Sequence, residues 1–459
     1  MNNKTNNHIH FVGIGGSSMS GLAELAIKQG YFVSGSDRSI SEKAETLRQK
    51  GAIVYEGHDA KNITKDITLV VYTLAVPLSN PELEEARRRN IPIIERGEYL
   101  GQICSHYKHS IAVAGTHGKT STTSMLSSIF ISAEKEPSIH IGGFFPLIKS
   151  NVLASDSDFF ITEACEYHEN FLHLHPFGEI ILNIEAEHLD YYRDLNHVME
   201  AFSKFVSFAD KNGFIVVCAD DENAMNVVKN SDSNIITYSI KDKNADVYAE
   251  NITNSSHGSN YMLYYKQKPV TDICLNVPGL HNVSNSLAAA AAALFFNCSP
   301  ESIKNGLEAF CGTGRRFEQK GEYKGAPLID DYAHHPTEIK ATLSAAKDII
   351  SKNGKIYAVL QPHTYSRALA FQDEFATALK YADTVIVSDI FAAREKDPGT
   401  ISGLSMAEYF KSKGINALHI SDFADIAKYI KENAGENDIV ITLGAGNINE
   451  VIGLVLSDA

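Results

Sequence analysis

At residues 112–126, AVAGTHGKTSTTSML, an apolar strand runs into glycine and then directly into a helix. Few folds accept that order. Ser110 to Ala114 reads as a strand, Gly115-Thr116-His117-Gly118 as a turn, and Thr120 to Ser132 as a helix whose start points back at the turn. The first N–H groups of a helix have no partner within it, and its dipole favours negative charge there, so the turn is an anion cradle. Gly115 and Gly118 let a phosphate approach the backbone. The Lys119 ammonium suits terminal phosphates, and the Thr120 hydroxyl, with Ser121 after it, suits magnesium and phosphate oxygens. The loop is shorter than the common G-x-x-x-x-G-K-[ST] pattern, but the flanking strand and helix favour ATP.

A second glycine turn opens the chain: strand His8 to Val12, then Gly13-Ile-Gly15-Gly16-Ser17-Ser18-Met-Ser20, with a helix from Ser20 to Gln29 and a strand from Tyr31 to Gly35. It is similar to the dinucleotide fingerprint, with Ser18 in place of the third glycine and Asp37 where a ribose-binding acid belongs. A pyrophosphate-linked sugar nucleotide would use the same loop. Two phosphate loops in one chain indicate two nucleotide-bearing ligands, one consumed and one serving as a handle on the substrate.

Strands and helices alternate through three blocks, which is the pattern of α/β units with parallel sheets. The expected division is 1–106, 107–313 and 314–459: a Rossmann-like domain, a central P-loop ATPase with a parallel sheet, and a second Rossmann-like domain. Expected strands include Leu69 to Tyr72, Phe159 to Thr162, Ile180 to Asn183, Phe214 to Cys218, Ile356 to Leu360, Thr384 to Val387 and Ile439 to Leu443; the alanine-rich stretch within Asn282 to Phe296 reads as a buried helix. The net charge of −15 argues against general nucleic-acid binding. The opening MNNKTNNHIH has no apolar signal segment and no run of about 20 apolar residues occurs, so a cytoplasmic protein without membrane insertion is expected. The cysteines are scattered without a Cys-x-x-Cys pair, which favours reduced thiols. Two segments at strand ends suit a metal–phosphate site: Glu163 in Ile161-Thr-Glu-Ala-Cys-Glu166, and His188 in Asn183-Ile-Glu-Ala-Glu-His188-Leu-Asp190. The adjacent His334 and His335 do not read as a zinc site, because neighbours on one chain point apart and no Cys or Glu completes the set.

Taken together, Gly115-Thr-His-Gly-Lys-Thr120, Asn183-Ile-Glu-Ala-Glu-His188, His281-Asn282-Val-Ser-Asn285, Gly312-Thr-Gly-Arg-Arg-Phe317 and Asp330-Asp-Tyr-Ala-His-His-Pro-Thr-Glu338 resemble the motifs of the Mur ligases, in family order and across nearly the whole chain. Gln361-Pro-His-Thr-Tyr-Ser-Arg367 is similar to the alanine-adding branch, and Glu163-Ala-Cys-Glu-Tyr167 to its Gram-positive form. The resemblance implies ATP-dependent amide formation in peptidoglycan precursor synthesis, through an acyl phosphate, with ATP, Mg2+, UDP-N-acetylmuramate and L-alanine. A related ligase that adds a whole peptide to the same sugar is the alternative. The resemblance also assigns residues. Lys119 and Thr120 serve phosphates and magnesium; Glu163 and His188 hold magnesium. Asn282, with His281, reads adenine; Arg315 contacts phosphate; Asp330 or Asp331 meets the ribose. Tyr332, His334, His363 and Arg367 hold the amino acid, with His334 also expected to be catalytic. Gly15, Gly16, Ser17, Ser18, Asp37, His58 and Arg96 contact the UDP-sugar. Thr364 and Ala333 depart from the family pattern. Lys204 lies near the spacing of a lysine that several relatives carbamylate, and equally suits a solvated helix surface. Asn282 and Asn285 are expected near their helix start, as caps or adenine contacts.

Overall fold

The computed structural model describes residues 7–189, 191–255 and 258–457; Asp190 and the opening MNNKTN fall outside the described residues. Three sheets follow one another along the chain. The first holds β1 (His8–Val12), β2 (Phe32–Asp37), β3 (Ile53–Glu56), β4 (Ile67–Tyr72) and β5 (Ile93–Glu95), all parallel, in the order β3-β2-β1-β4-β5. The strand order reverses at β1, and the glycine turn leaves β1 at that switch point, the usual position for a ligand in an open α/β sheet. The helix after this turn spans Ser17–Lys28, so it starts three residues earlier than the sequence pattern suggests, with Gly16 as its N-cap.

The central sheet has ten strands: β6 (His109–Ala114), β7 (Ser138–Phe145), β8 (Ser150–Leu153), β9 (Phe159–Glu163), β10 (Gly178–Ile181), β11 (Phe214–Cys218), β12 (Asn234–Ser239), β13 (Val247–Ser255), β14 (Gly258–Tyr265) and β15 (Lys268–Leu275). Their order is β15-β14-β13-β12-β11-β10-β6-β9-β7-β8. The middle is parallel, as expected, but antiparallel pairs close both ends, β13-β14-β15 on one side and β7-β8 on the other. The third sheet, β16 (Glu318–Tyr323), β17 (Ala326–Asp331), β18 (Ile356–Leu360), β19 (Thr384–Val387), β20 (Ala417–His419) and β21 (Ile439–Leu443), runs β16-β17-β21-β18-β19-β20, with only β16 antiparallel.

Strands β10, β11, β18 and β21 are buried along their whole length. Parallel strands need helices on both faces, which is why they read as unbroken apolar runs. The helix Lys119–Ser132 is buried from Ser121 to Phe130 although it is rich in hydroxyls. Thr123, Ser124, Ser127 and Ser128 each donate to the carbonyl four residues back, at 2.7–3.1 Å, so no hydroxyl among these four enters the core unpaired. This helix packs on Leu280–Phe295, whose Ala288 to Ala293 are fully buried, and on Pro300–Glu308. A Cβ at Gly306 would lie 2.4 Å from Ile129 Cα, so the second contact needs glycine. Among the described residues, no helix is long and apolar enough to cross a membrane.

Glu179 on β10 is an anomaly of this core. It is fully buried between neighbours Ala112 and Ile215, and neither carboxylate oxygen has a partner. Burial pushes its pKa well above the ordinary value, so the folded chain holds a proton there that the unfolded chain releases above about pH 4.5. Folding is therefore weakened as pH rises past that value. Glu179→Gln is expected to raise the thermal midpoint, by more at pH 8 than at pH 5, with a gain of about 1–3 kcal/mol at the higher pH; thermal denaturation at the two pH values measures it, and an equal or absent gain would rule out a buried proton at this site.

Candidate active site

Gly118 is the N-cap of Lys119–Ser132, with φ 86, and a Cβ there would meet Asn285 Oδ1 at 2.5 Å, so only glycine suits the turn on both counts. The segment Asn183 to His188 braces this loop. Asn183 Oδ1 accepts from His117 N–H at 2.8 Å, its Nδ2 donates to His117 O at 3.1 Å, and Glu185 N–H donates to Thr116 Oγ1 at 2.9 Å. Gly115 and Thr116 face this brace, whereas His117, Gly118, Thr120 and Ser121 line a cavity of about 210 Å³. Asn183, Glu185, His281, Asn282 and Asn285 complete its near side; Arg316, Asp331, Thr337 and Glu338 close it from the third sheet's unit. Burial, together with Arg316, lowers His281 to about 4 and keeps it neutral. Asn282 donates to Pro278 O at 2.8 Å, and the N-cap of its helix is Gly279, so neither asparagine acts as the cap.

Of the expected ATP contacts, Arg315 stands one residue away from the cavity, and of the Asp330–Asp331 pair only Asp331 lines it. Arg315 does not line the cavity: its Nε donates to Asp330 at 2.9 Å, and Nη1 and Nη2 donate to the carbonyls of Gly446 and Gly444. Asp330 is fully buried under Arg315 and Thr442. Their neighbours Arg316 and Asp331 face the cavity instead. Successive strand residues point to opposite faces, and here the face toward the cavity carries Asp331. Burial raises the Asp331 carboxyl to about 6 against the pull of Arg316.

The Lys119 ammonium folds back on its own loop, donating to Gly115 O at 2.5 Å, Thr116 O at 3.0 Å and Glu166 Oε1 at 3.1 Å. Burial opposes its charge, but Glu166 and its neighbours outweigh that and raise its pKa. Glu166 also faces His188, whose Nε2 is 3.6 Å away. His188 holds φ 55, a strained conformation for a non-glycine residue and one that collects at functional sites. Glu163 and Thr120 meet at Gly142–Gly143. Gly142 N–H donates to Glu163 Oε1 at 2.7 Å, and Cβ atoms built at these glycines would come 3.1 Å from Glu163 Oε2 and 3.2 Å from Thr120 Cγ2. The open space at these glycines has the Glu163 carboxylate and the Thr120 side chain beside it, and a carboxylate oxygen suits a hard divalent cation; His188 stands against Glu166. Lys204, with its side chain 60% exposed and 4.0 Å from Glu169, reads as a surface lysine.

The same Gly142–Gly143 pair lines a second cavity, of about 630 Å³, against the N-terminal unit, together with Ser20, Lys43 and Asn151. At its edge Ser18 Oγ lies 3.2 Å from His140 Nε2 and accepts from Arg96 at 3.4 Å, while Lys43 donates to Ser17 Oγ at 2.5 Å. Asp37 is already engaged: its Oδ2 accepts from Gly15 N–H at 2.8 Å and shapes the glycine turn. His58 pairs with Ser36 and buried Glu82 at 2.9 and 3.1 Å, inside the N-terminal unit.

Across the boundary, Tyr332, His334, His363 and Arg367 do come together. His334 Nδ1 is 2.9 Å from Tyr332 O, the His334 and His363 rings are 5.5 Å apart, and Arg367 Nη1 is 3.0 Å from His363 Nδ1. Burial drives both histidines to about 4 and keeps them neutral. Thr364 instead donates to Glu395 at 2.6 Å. His335 caps the helix Pro336–Ile349 in a capping box with Glu338. Glu338 then reaches His117 at 3.2 Å, Thr337 Oγ1 donates to Glu185 at 2.7 Å, and Arg367 pairs with Glu187. Glu166, Glu185, Glu187, Arg316 and Glu338 all lay in the motifs without an assigned role; partners as far as 180 residues away in the chain leave no local signal.

One three-donor group differs from the sequence reading. His335 joins not His334 but His117 and Glu185, from the other unit, with ligand atoms within 4.8 Å of one another. A proton accounts for it. Burial alone would lower the His117 pKa, but Glu185 and Glu338 raise it to about 9. This proton is bound more tightly in the folded chain, so its contribution is whole below about pH 6.5 and fades as pH rises through about 9.

Family models match three successive stretches: the Mur ligase family catalytic domain at residues 8–108, the Mur ligase middle domain at 113–293, and the Mur ligase glutamate ligase domain at 315–446. The UDP-N-acetylmuramate–L-alanine ligase of Acetivibrio thermocellus is 46% identical over 98% of this chain and 96% of its own, and that of Clostridium kluyveri 48% over 98% of both. Among solved structures, the UDP-N-acetylmuramate–alanine ligase of Thermotoga maritima superposes with TM-score 0.82 at 30% identity, and a murein peptide ligase of Psychrobacter arcticus with 0.71 at 26%, each covering 98% of both chains.

Two outcomes test this geometry. The thermal midpoint of wild type is expected to fall more between pH 7 and pH 9.5 than that of His117→Asn; parallel curves would remove the His117 proton from the account. Arg316→Ala is expected to raise KM for ATP about ten-fold, while Arg315→Ala, which strands a buried carboxylate, leaves that KM in place and costs about 3–5 kcal/mol of stability.

Proposed function

The chain belongs to the Mur ligase family, and on that premise we propose that it joins L-alanine to the lactyl carboxylate of UDP-N-acetylmuramate, converting ATP to ADP and phosphate, in peptidoglycan precursor synthesis in the cytoplasm. The observation that supports this reading is the cavity at the phosphate loop, lined from the central unit by His117, Gly118 and Thr120 and from the C-terminal unit by Arg316, Asp331 and Glu338. Identities of 46–48% to alanine-adding relatives over nearly the whole chain favour L-alanine over a peptide acceptor.

A carboxylate is a poor electrophile. Its oxygen attacks the γ-phosphorus of ATP and ADP leaves, which gives an acyl phosphate. The amine of L-alanine then attacks the carbonyl carbon, loses a proton, and the C–O bond to phosphate breaks. Lys119, released from the Gly115 and Thr116 carbonyls, supplies positive charge to the transferring phosphoryl group. Thr120, Glu163 and His188 would hold Mg2+, which supplies charge neutralisation to the phosphates. His281 and Asn282 take adenine, Arg316 the phosphates, and Asp331 the ribose. The glycine turn with Gly15, Gly16, Ser17 and Ser18 binds the diphosphate of the UDP-sugar, helped by Arg96. Arg367 binds the amino-acid carboxylate, and neutral His334 has a lone pair for the amine's departing proton.

Purified protein is expected to release phosphate only when ATP, UDP-N-acetylmuramate and L-alanine are present together. A tripeptide acceptor replacing L-alanine at equal efficiency would overturn the assignment. Lys119→Ala is expected to lower kcat by at least about 10²–10³-fold while UDP-N-acetylmuramate still binds.

A further inference from the structure

Glu187 immediately precedes His188, yet its side chain crosses to the other unit. Its Oε1 accepts from Arg367 Nε at 3.1 Å and Nη2 at 2.5 Å, and from the His188 N–H at 3.1 Å. Both side chains are close to dry, 7% exposed for Glu187 and 10% for Arg367. The far end of the guanidinium is held as well: Nη1 donates to His363 O at 2.5 Å and lies 3.0 Å from His363 Nδ1. The guanidinium plane is thus pinned from two sides, by a carboxylate of the phosphate-side loop and by the backbone of its own unit. A guanidinium carries five N–H groups, and those beyond these contacts are the ones the reading of Arg367 gives to a ligand carboxylate.

We infer that Glu187 is a positioning residue for the amino-acid substrate, fixing Arg367 relative to the phosphate-side loop so that the bound amine stands at a set distance from the activated carbonyl. The inference rests on the reading of Arg367 as the amino-acid carboxylate ligand. Glu187 and His188 are joined by one peptide bond, so the loop cannot place its imidazole toward phosphate without also placing the carboxylate that holds Arg367. A guanidinium left free to move holds the amino-acid carboxylate in its productive place for less of the time, so the loss is read in KM for L-alanine. A charge is required at position 187 because a dry guanidinium needs a full counter-charge, which an amide does not provide.

Steady-state phosphate release at varied L-alanine, ATP and UDP-N-acetylmuramate tests this. Glu187→Gln is expected to raise KM for L-alanine about ten-fold or more, with the other two KM values within about two-fold of wild type. Glu187→Asp, which keeps the charge one methylene further back, should recover most of the loss. In an Arg367→Lys background Glu187→Gln should add less than about two-fold, because the partner it positions is already altered. Equal shifts in all three KM values, a loss confined to kcat, or multiplicative effects in the double variant would overturn the inference and make Glu187 a strut between units. If Glu187→Gln fails to fold, Glu187→Asp carries the same test with a smaller selective rise in KM for L-alanine, and no selective rise refutes it. If Arg367→Lys leaves KM for L-alanine unchanged in an otherwise active enzyme, the reading of Arg367 is what fails, and the inference falls with it.

Discussion

Buried charge in this molecule is neutralised across the boundary between the central and C-terminal units. His117 of the phosphate loop lies between Glu185 of its own unit and Glu338 of the other, and Glu187 holds Arg367. None of these groups could be left dry and alone, since an unpaired buried ion costs several kcal/mol even after relaxation. The two units therefore complete each other electrostatically, and the ATP cavity exists as an enclosed space only while they are docked. Chemistry and closure rest on the same contacts.

The segment from Asn183 to His188 concentrates this dependence. It leaves β10, braces the phosphate loop through Asn183 and the Glu185 N–H, sends two carboxylates to the C-terminal unit, and ends in His188 with a strained backbone. Six residues thus touch the Gly115–Thr120 loop, Glu166 and the Thr337 and Arg367 side chains of the C-terminal unit. Strain at His188 is tolerated because the neighbours on both sides over-determine its position. A comparable economy appears at Gly142–Gly143, which line the cavity against the N-terminal unit and stand beside Glu163 and Thr120.

Neutral histidines are the other half of the electrostatics. His281, His334 and His363 are desolvated and held uncharged, whereas His117 is held charged by two acids. The same side chain serves opposite roles because burial and neighbouring charge pull its proton in opposite directions. An acyl-transfer site needs both: a fixed positive charge near phosphate, and neutral nitrogen near an amine.

Much of this was legible in residue order alone. Apolar runs bounded by glycine marked the parallel strands, because such strands are buried on both faces, and the strand–glycine–helix order marked both anion turns, because helix starts expose N–H groups whatever surrounds them. The β7–β8 edge pair escaped notice, and the first helix was placed three residues late, since half-exposed strands and helix ends carry weaker patterns. Which of two neighbours faces a cavity could not be read from order: Arg316 lines it rather than Arg315, and the choice left open between Asp330 and Asp331 falls to Asp331, because alternation along a strand is blind to which face the next unit will cover. Nor could the pairing of Glu187 with Arg367, 180 residues apart. Local spacing dictated strands, turns and helix starts through short-range sterics and hydrogen bonding; the partners of the buried charges were decided only by how the three sheets pack together and exclude water between them.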